Sequence, residues 1–204
     1  MGEAFLLLLL YNNMQKLLTF LFLVFLVHTQ AQTSVSENDV AAFIPKNYYI
    51  VKLAPGNLNL DNLTDVILVL GKNGEDSLST LEHPIKRKCL ILLGASNKTY
   101  TLAAQNPNVV YYYNYDPNFK DAFVDVRIEK GIFNVDHYGG FAQRWGQTTT
   151  FKYNPTDKIF YLIKDEYSTF DATEPDSTLS EKIYTPKNFG TVTFDKFNIY
   201  KTGK

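Results

Sequence analysis

One cysteine in 204 residues excludes a disulfide-stapled fold. Cys89 has no partner within the chain, so burial, hydrogen bonding or a bound ion must hold the structure together. Set in the run Cys89-Leu90-Ile91-Leu92-Leu93, its thiol is expected to be buried and inert. Neither sign of charge is in excess. A formal net charge of −1 removes the footprint of a nucleic-acid or anionic-membrane binder. No apolar stretch reaches the roughly 20 residues a spanning helix requires, so no stable membrane span is expected once the N-terminus is removed. Also missing are the Gly-x-Ser-x-Gly elbow, the His-Glu-x-x-His helix, the phosphate loop and the dinucleotide fingerprint. Histidine is scarce, and only His83 and His137 lie beyond the N-terminal region.

What is present begins with an export signal. Met14-Gln15-Lys16 is a short basic start, followed by the apolar run Leu17 to Val27 and by Thr29-Gln30-Ala31 before Gln32. A charged start, 7–15 apolar residues and a small residue at the cut are the parts of a secretory signal. Residues 1–31 therefore read as a signal peptide, with Met14 as the start and residues 1–13 as an upstream extension. No cysteine stands at the cut, which argues against a lipid anchor. The chain is expected to be exported, to a periplasmic or extracellular destination. Residues 32–43 read as a flexible lead-in in which Ser36 to Phe43 makes a helical turn or two, stopped by Pro45. Residues 44–204 read as a single β-rich domain.

That domain shows strand after strand. Tyr48–Leu53, Asp65–Leu70, Cys89–Leu93, Tyr100–Ala104 and Val109–Tyr113 are β-branched or aromatic runs, and the unbroken apolar run at Cys89 suits burial on both faces. Phe123–Ile128 alternates strictly, with Val124, Val126 and Ile128 on one face, and returns through Lys130-Gly131 into Ile132–Asp136. A second hairpin joins Thr148–Tyr153 to Ile159–Ile163. Phe170 to Ser180 reads as a loop and Gly190 to Tyr200 as a last strand. No long amphipathic helix is visible. The expected fold is mainly β, an antiparallel meander of hairpins forming a sandwich or open barrel with few short helices. No repeat of blade-sized period appears, which argues against a propeller.

Two constellations carry possible chemistry. In Gly56-Asn57-Leu58-Asn59-Leu60-Asp61-Asn62-Leu63-Thr64-Asp65, oxygen-bearing side chains stand at 57, 59, 61 and 65, directly before the strand Val66–Leu70. Asn57, Asn59 and Asp61 offer side-chain oxygens, Leu63 its carbonyl, and Asp65 closes the set, a spacing that suits calcium. The same residue types also build an Asx-rich turn that bonds its own backbone, and the pattern leaves both open. This segment resembles a degenerate calcium loop of FG-GAP or VCBS-type repeats, whose pattern runs Gly-Asp-x-Asn-x-Asp-Gly-x-x-Asp into an apolar strand. The resemblance implies Asn57, Asn59, Asp61 and Asp65 as ligands. Asn57 replaces an Asp and Asn62 a Gly, so with two carboxylates left the implied binding is weak.

The second constellation is His137-Tyr138-Gly139-Gly140-Phe141-Ala142-Gln143-Arg144-Trp145-Gly146. Two glycines permit a sharp corner, while Arg and the sole Trp are common tools for gripping sugars, peptides or carboxylates. Tyr138, Arg144 and Trp145 are therefore the candidate ligand-binding residues. Packing at one end of the core, with Arg144 on the indole, is the plain alternative. Together the two constellations resemble a group of uncharacterised secreted bacterial proteins with a His-Tyr-Gly-Gly and Arg-Trp motif, which implies export and architecture but no activity.

Three functions follow as expectations. The first is an exported, non-enzymatic binding or cell-envelope accessory module whose partner is a protein, peptide or glycan. The second is a secreted hydrolase using His137 with Asp136 or Asp116. The third, an inhibitor of a foreign enzyme, has no residue-level support. Asp165 and Glu166, on opposite sides of a strand, read as solvated charges rather than an acid–base pair. Tyr111-Tyr112-Tyr113 with Tyr115 reads as cross-strand packing or a stacking platform.

Overall fold

The computed structural model describes residues 34–201, so the signal-like segment lies outside the described residues. The described residues hold nine antiparallel strands in two sheets. The first sheet is a meander of β1 (Tyr48–Gly56), β2 (Asp65–Lys72), β3 (Lys88–Ala95) and β4 (Thr99–Asn106). The second is a meander of β5 (Phe123–Glu129), β6 (Ile132–Gly140), β7 (Gln143–Asn154), β8 (Ile159–Asp171) and β9 (Ser180–Tyr184). Neither sheet closes on itself, and the architecture is that of a sandwich. The helices α1 (Glu37–Val40), α2 (Glu75–Leu78), α3 (Pro175–Thr178) and α4 (Pro186–Phe189) are single turns. No helix among the described residues is long and apolar enough to cross a membrane.

The period of two along each strand explains how the layers meet. In β2 and β3, Ile67, Val69, Cys89 and Ile91 point into a core shared with Val126, Phe133, Val135, Phe151 and Leu162 of the second sheet. Their alternates Val66, Leu68, Leu70, Leu90 and Leu92 point the other way and form a separate cluster with Val40. The unbroken apolar runs of β2 and β3 thus reflect burial on both faces. The outer cover is the segment from Val35 through Ile44, whose helical turn is closed by a capping box between Ser36 and Asp39. Cys89 is buried as expected, and burial pushes its thiol up to about 12.

Three local expectations need correction. Val109–Tyr112 is buried but irregular rather than a strand, because it crosses from one sheet to the other. Its polar backbone groups find partners outside a ladder: the Val110 carbonyl accepts from the Tyr200 hydroxyl at 3.0 Å. Gly190–Tyr200 forms only an isolated bridge between Thr193 and Tyr161, since the chain turns immediately and the N–H groups of Lys196 and Phe197 fold back onto the Thr193 carbonyl. The strand beside β8 is instead β9, in the stretch following the expected loop. Finally, a bulge between Phe123 and Asp125 turns Val124 outward, 57% exposed, while Val126 stays buried.

Candidate functional site

The β6–β7 hairpin places Gly139 opposite Trp145 and Gly140 opposite Arg144. Trp145 points inward from β7, and the missing side chain of Gly139 is what admits it. A Cβ at Gly139 would lie 2.5 Å from the indole and 2.6 Å from an Asp116 carboxylate oxygen. Gly140 has φ +89°, and a Cβ there would overlap the Gln143 carbonyl. Each glycine therefore has its own reason: one for a close approach, one for a left-handed corner.

Asp116 reaches the hairpin from the connection between the sheets. Its Oδ2 accepts from the Trp145 indole N–H at 2.7 Å and from the Gly140 N–H at 2.7 Å, and its Oδ1 from the Asn118 N–H at 2.8 Å. Burial alone would raise this carboxyl, but the Trp145 donor and the backbone N–H groups outweigh it and hold it below the ordinary carboxylate range. Around the indole stand Tyr111, Tyr115 and Tyr167, with Tyr111 and Tyr115 stacked at 3.8 Å. Outside this cluster opens a shallow recess of about 650 Å³, lined by Trp145, Tyr115, Asp116, Gly140, Phe141 and Leu81 among others. Phe141 is 72% and Leu81 64% exposed.

The three candidate ligand residues are not brought together. Tyr138 and Arg144 lie on the outward face of the second sheet, where the guanidinium sits 5.8 Å from the Tyr138 ring centroid and donates to the Gly140 carbonyl at 2.9 Å. Phe119 and Phe170 extend that outward group. Trp145 lies on the opposite face, so Arg144 packs on Tyr138 rather than on the indole. Of the recess residues, Tyr115 belongs to the tyrosine group read as packing or a stacking platform and Phe141 lies inside the second constellation, whereas Leu81 carried no signal in the sequence. Nothing in Asp116-Pro117-Asn118 announces a carboxylate that reaches a tryptophan 29 positions later.

His137 is buried in the core, 3% exposed, with edge contacts to Tyr111 and Phe123. Its Nε2 accepts the Tyr111 N–H at 3.3 Å, which places the ring proton on Nδ1, a buried atom without a hydrogen-bond partner. Burial, and next the Arg87 charge, pull its pKa down to about 3. Neither carboxylate proposed for it bonds to it. Asp136 is on the outward face, accepting from Arg127 Nε and Thr148 Oγ1, each at 2.8 Å, and Asp116 is committed to Trp145 and Gly140. Asp165, expected to be solvated, is 4% exposed and accepts from Gln147 and Thr149 on the inward side.

In the loop before β2, Asp65 is fully buried. Its Oδ2 accepts the N–H groups of Leu58 and Asn59 at 2.7 and 3.1 Å, and its Oδ1 that of Gly94 at 2.9 Å. Burial outweighs these donors and holds its pKa above the ordinary value. Asp61 accepts from Leu63 N–H and from the Asn59 amide, both at 2.7 Å, and the Asn57 amide donates to the Asp61 carbonyl. Asn57 Oδ1 is buried without a donor. Here the five candidate ligands Asn57, Asn59, Asp61, Leu63 and Asp65 build an Asx-braced turn, and a calcium ion would have to compete with N–H groups for the oxygens of both carboxylates. Among the described residues no group of three or more His, Cys, Asp or Glu side chains converges as a metal cluster would.

No family model, curated protein or solved structure matches the chain.

Proposed function

We propose that this protein is an exported, non-enzymatic recognition module that takes a peptide or glycan in the recess beside Trp145. The observation that carries the reading is the pairing of exposed and ordered aromatics in one concavity. Phe141 and Leu81 offer apolar surface to solvent, while Trp145 and Tyr115 behind them are held by Asp116 and by ring stacking. Exposed apolar side chains grouped around a concavity are a common mark of a binding site. A pre-ordered ring wall also reduces the entropy lost on binding.

The hydrolase reading draws no support from this arrangement. A general base must reach the proton it removes, and His137 is buried, neutral at physiological pH and occupied at Nε2 by a backbone donor. Export rests on the N-terminal pattern of charge, apolar run and small residue. Calcium is not needed for the reading, because the Asn57–Asp65 loop is braced by its own N–H groups.

The test is a glycan and peptide array probed with the wild-type protein and with Phe141→Ala. Phe141 is exposed enough that its truncation should leave stability within about 0.5 kcal/mol. A ligand whose affinity falls about tenfold in the variant, with an unchanged melting temperature, supports the proposal. Binding that ignores Phe141→Ala, or no ligand from either class, removes it.

A further inference from the structure

Asp116 lines the recess beside Trp145 and is only 7% exposed. Its oxygens accept from three uncharged donors, the Trp145 indole N–H and the Gly140 N–H at 2.7 Å each and the Asn118 N–H at 2.8 Å. Those bonds keep the carboxyl ionised, yet none of them brings a positive charge. No ion pair among the described residues includes Asp116. Of the described residues that line the recess, Asp116 is the only charged one. Buried anions are ordinarily paired with a cation, as Glu75 is with Arg87. Here the chain leaves one negative charge uncompensated at the edge of an opening.

The other lining groups narrow what could complete it. Trp145 and Tyr115 bring aromatic rings, whose faces attract a cation within about 6 Å. Phe141 and Leu81 add exposed apolar surface, on which the methylene stem of a basic side chain can lie. A neutral sugar is served poorly. Its hydroxyls need free donors and acceptors, whereas the Asp116 oxygens are already engaged and Gln143 Nε2 donates to Asp171 at 3.1 Å. An anionic group would be repelled by the Asp116 charge. Charge and ring surface are what the recess offers, and together they select a cation.

We infer that the recess receives a lysine or arginine side chain of a peptide. Its charge lies beside Asp116, Trp145 and Tyr115, and its stem runs along Phe141 and Leu81. This assignment rests on the recess being the recognition site and names the class of ligand taken there.

Short capped peptides, identical except for a central lysine, arginine, citrulline or glutamate, are titrated into the full-length protein. Citrulline keeps the shape of arginine without its charge. Trp145 is the only tryptophan, so its emission reports occupancy of the recess. The arginine and lysine peptides are expected to change that emission saturably, and the citrulline peptide to bind about tenfold more weakly. The glutamate peptide is expected not to bind. Raising salt to about 1 M, where the Debye length is about 3 Å, is expected to weaken the arginine peptide several-fold. Asp116→Asn is expected to remove the preference for arginine over citrulline. Should that variant fail to fold, the citrulline and salt comparisons on the wild type decide the matter. Equal binding of arginine and citrulline overturns the inference, as does the absence of a saturable change with either basic peptide up to about 10 mM. The two levels fail differently. A neutral peptide or a glycan that binds in preference and is weakened by Phe141→Ala removes the basic ligand but leaves the recess as the recognition site. An arginine peptide that binds equally to Phe141→Ala removes the recess itself.

Discussion

At the scale of single residues, the Gly139–Trp145–Asp116 contact shows why the Gly-Gly and Arg-Trp motif has its spacing. Register places Gly139 directly across from the indole, and the Asp116 Oδ2 accepts from both the Trp145 indole N–H and the N–H of the next residue, Gly140. Because these hydrogen bonds favour the charged form, the folded Asp116 has a lower pKa than its ordinary 3.8. Its contribution is complete above the unfolded value and is lost as pH falls through the folded one. Trp145 is the only tryptophan, so its fluorescence reports this titration directly. Emission should hold steady as pH falls to about 4 and change below it. Asp116→Asn should shift the neutral-pH spectrum and remove the acid step. A step centred at or above the ordinary value would contradict the geometry.

At the scale of elements, the first sheet depends on the segment that covers it. Val66, Leu68, Leu70, Leu90 and Leu92 form an apolar face that water would reach if Val35–Ile44 were lifted. Val40 is the anchor, with no exposed surface. Burial of a valine side chain is worth about 1.5–3 kcal/mol, so Val40→Ala should lower unfolding free energy by about 2 kcal/mol in a urea titration. Hydrogen exchange should quicken in β2 and β3 before it does in β6 and β7. A variant as stable as the wild type would show that the segment does not contribute to holding the sheet.

At the scale of the molecule, an ion triad centred on the buried Arg87 joins the two sheets, with Glu75 buried and Asp121 half-exposed. Arg87, beside β3, donates from Nε to Glu75 of α2 at 2.8 Å and, through both terminal nitrogens, to Asp121 ahead of β5 at 2.8 Å each. Burial would lower the Arg87 pKa, but Asp121 and Glu75 more than reverse it, so the guanidinium stays charged. That charge also disfavours a proton on His137, after burial itself. The folded His137 therefore refuses a proton down to about pH 3, while the unfolded chain accepts one near 6.5. Stability is complete above 6.5 and falls as pH drops toward 3, by at most about 1.4 kcal/mol per pH unit. The raised Asp65 acts in the opposite direction above 3.8, so the difference between proteins is the informative quantity. Urea midpoints at pH 7, 6 and 5 should decline more steeply for the wild type than for His137→Phe. Parallel declines would refute the assignment.

Strands whose pattern is local could be read from the residues alone. Alternation in Phe123–Ile128, the apolar runs of β2 and β3, and the turn residues between hairpins all act over a few neighbours, which is why a mainly β meander was legible. Where one strand's pattern met an outside contact, it misled: Val124 alternates correctly but is turned out by a bulge, and Gly190–Tyr200 has strand-like residues yet folds back on itself. The site was legible as residue types only. Trp145, Tyr138 and Arg144 adjoin in sequence, but the two-residue period sends the indole inward and Tyr138 and Arg144 outward. Only the folded chain brings Asp116 to Trp145, Leu81 beside Phe141 at the recess and Arg87 to Asp121, and buries Asp165 away from solvent. Each of these contacts joins positions far apart in the chain, and its energy exists only once two sheets stack and exclude water between them.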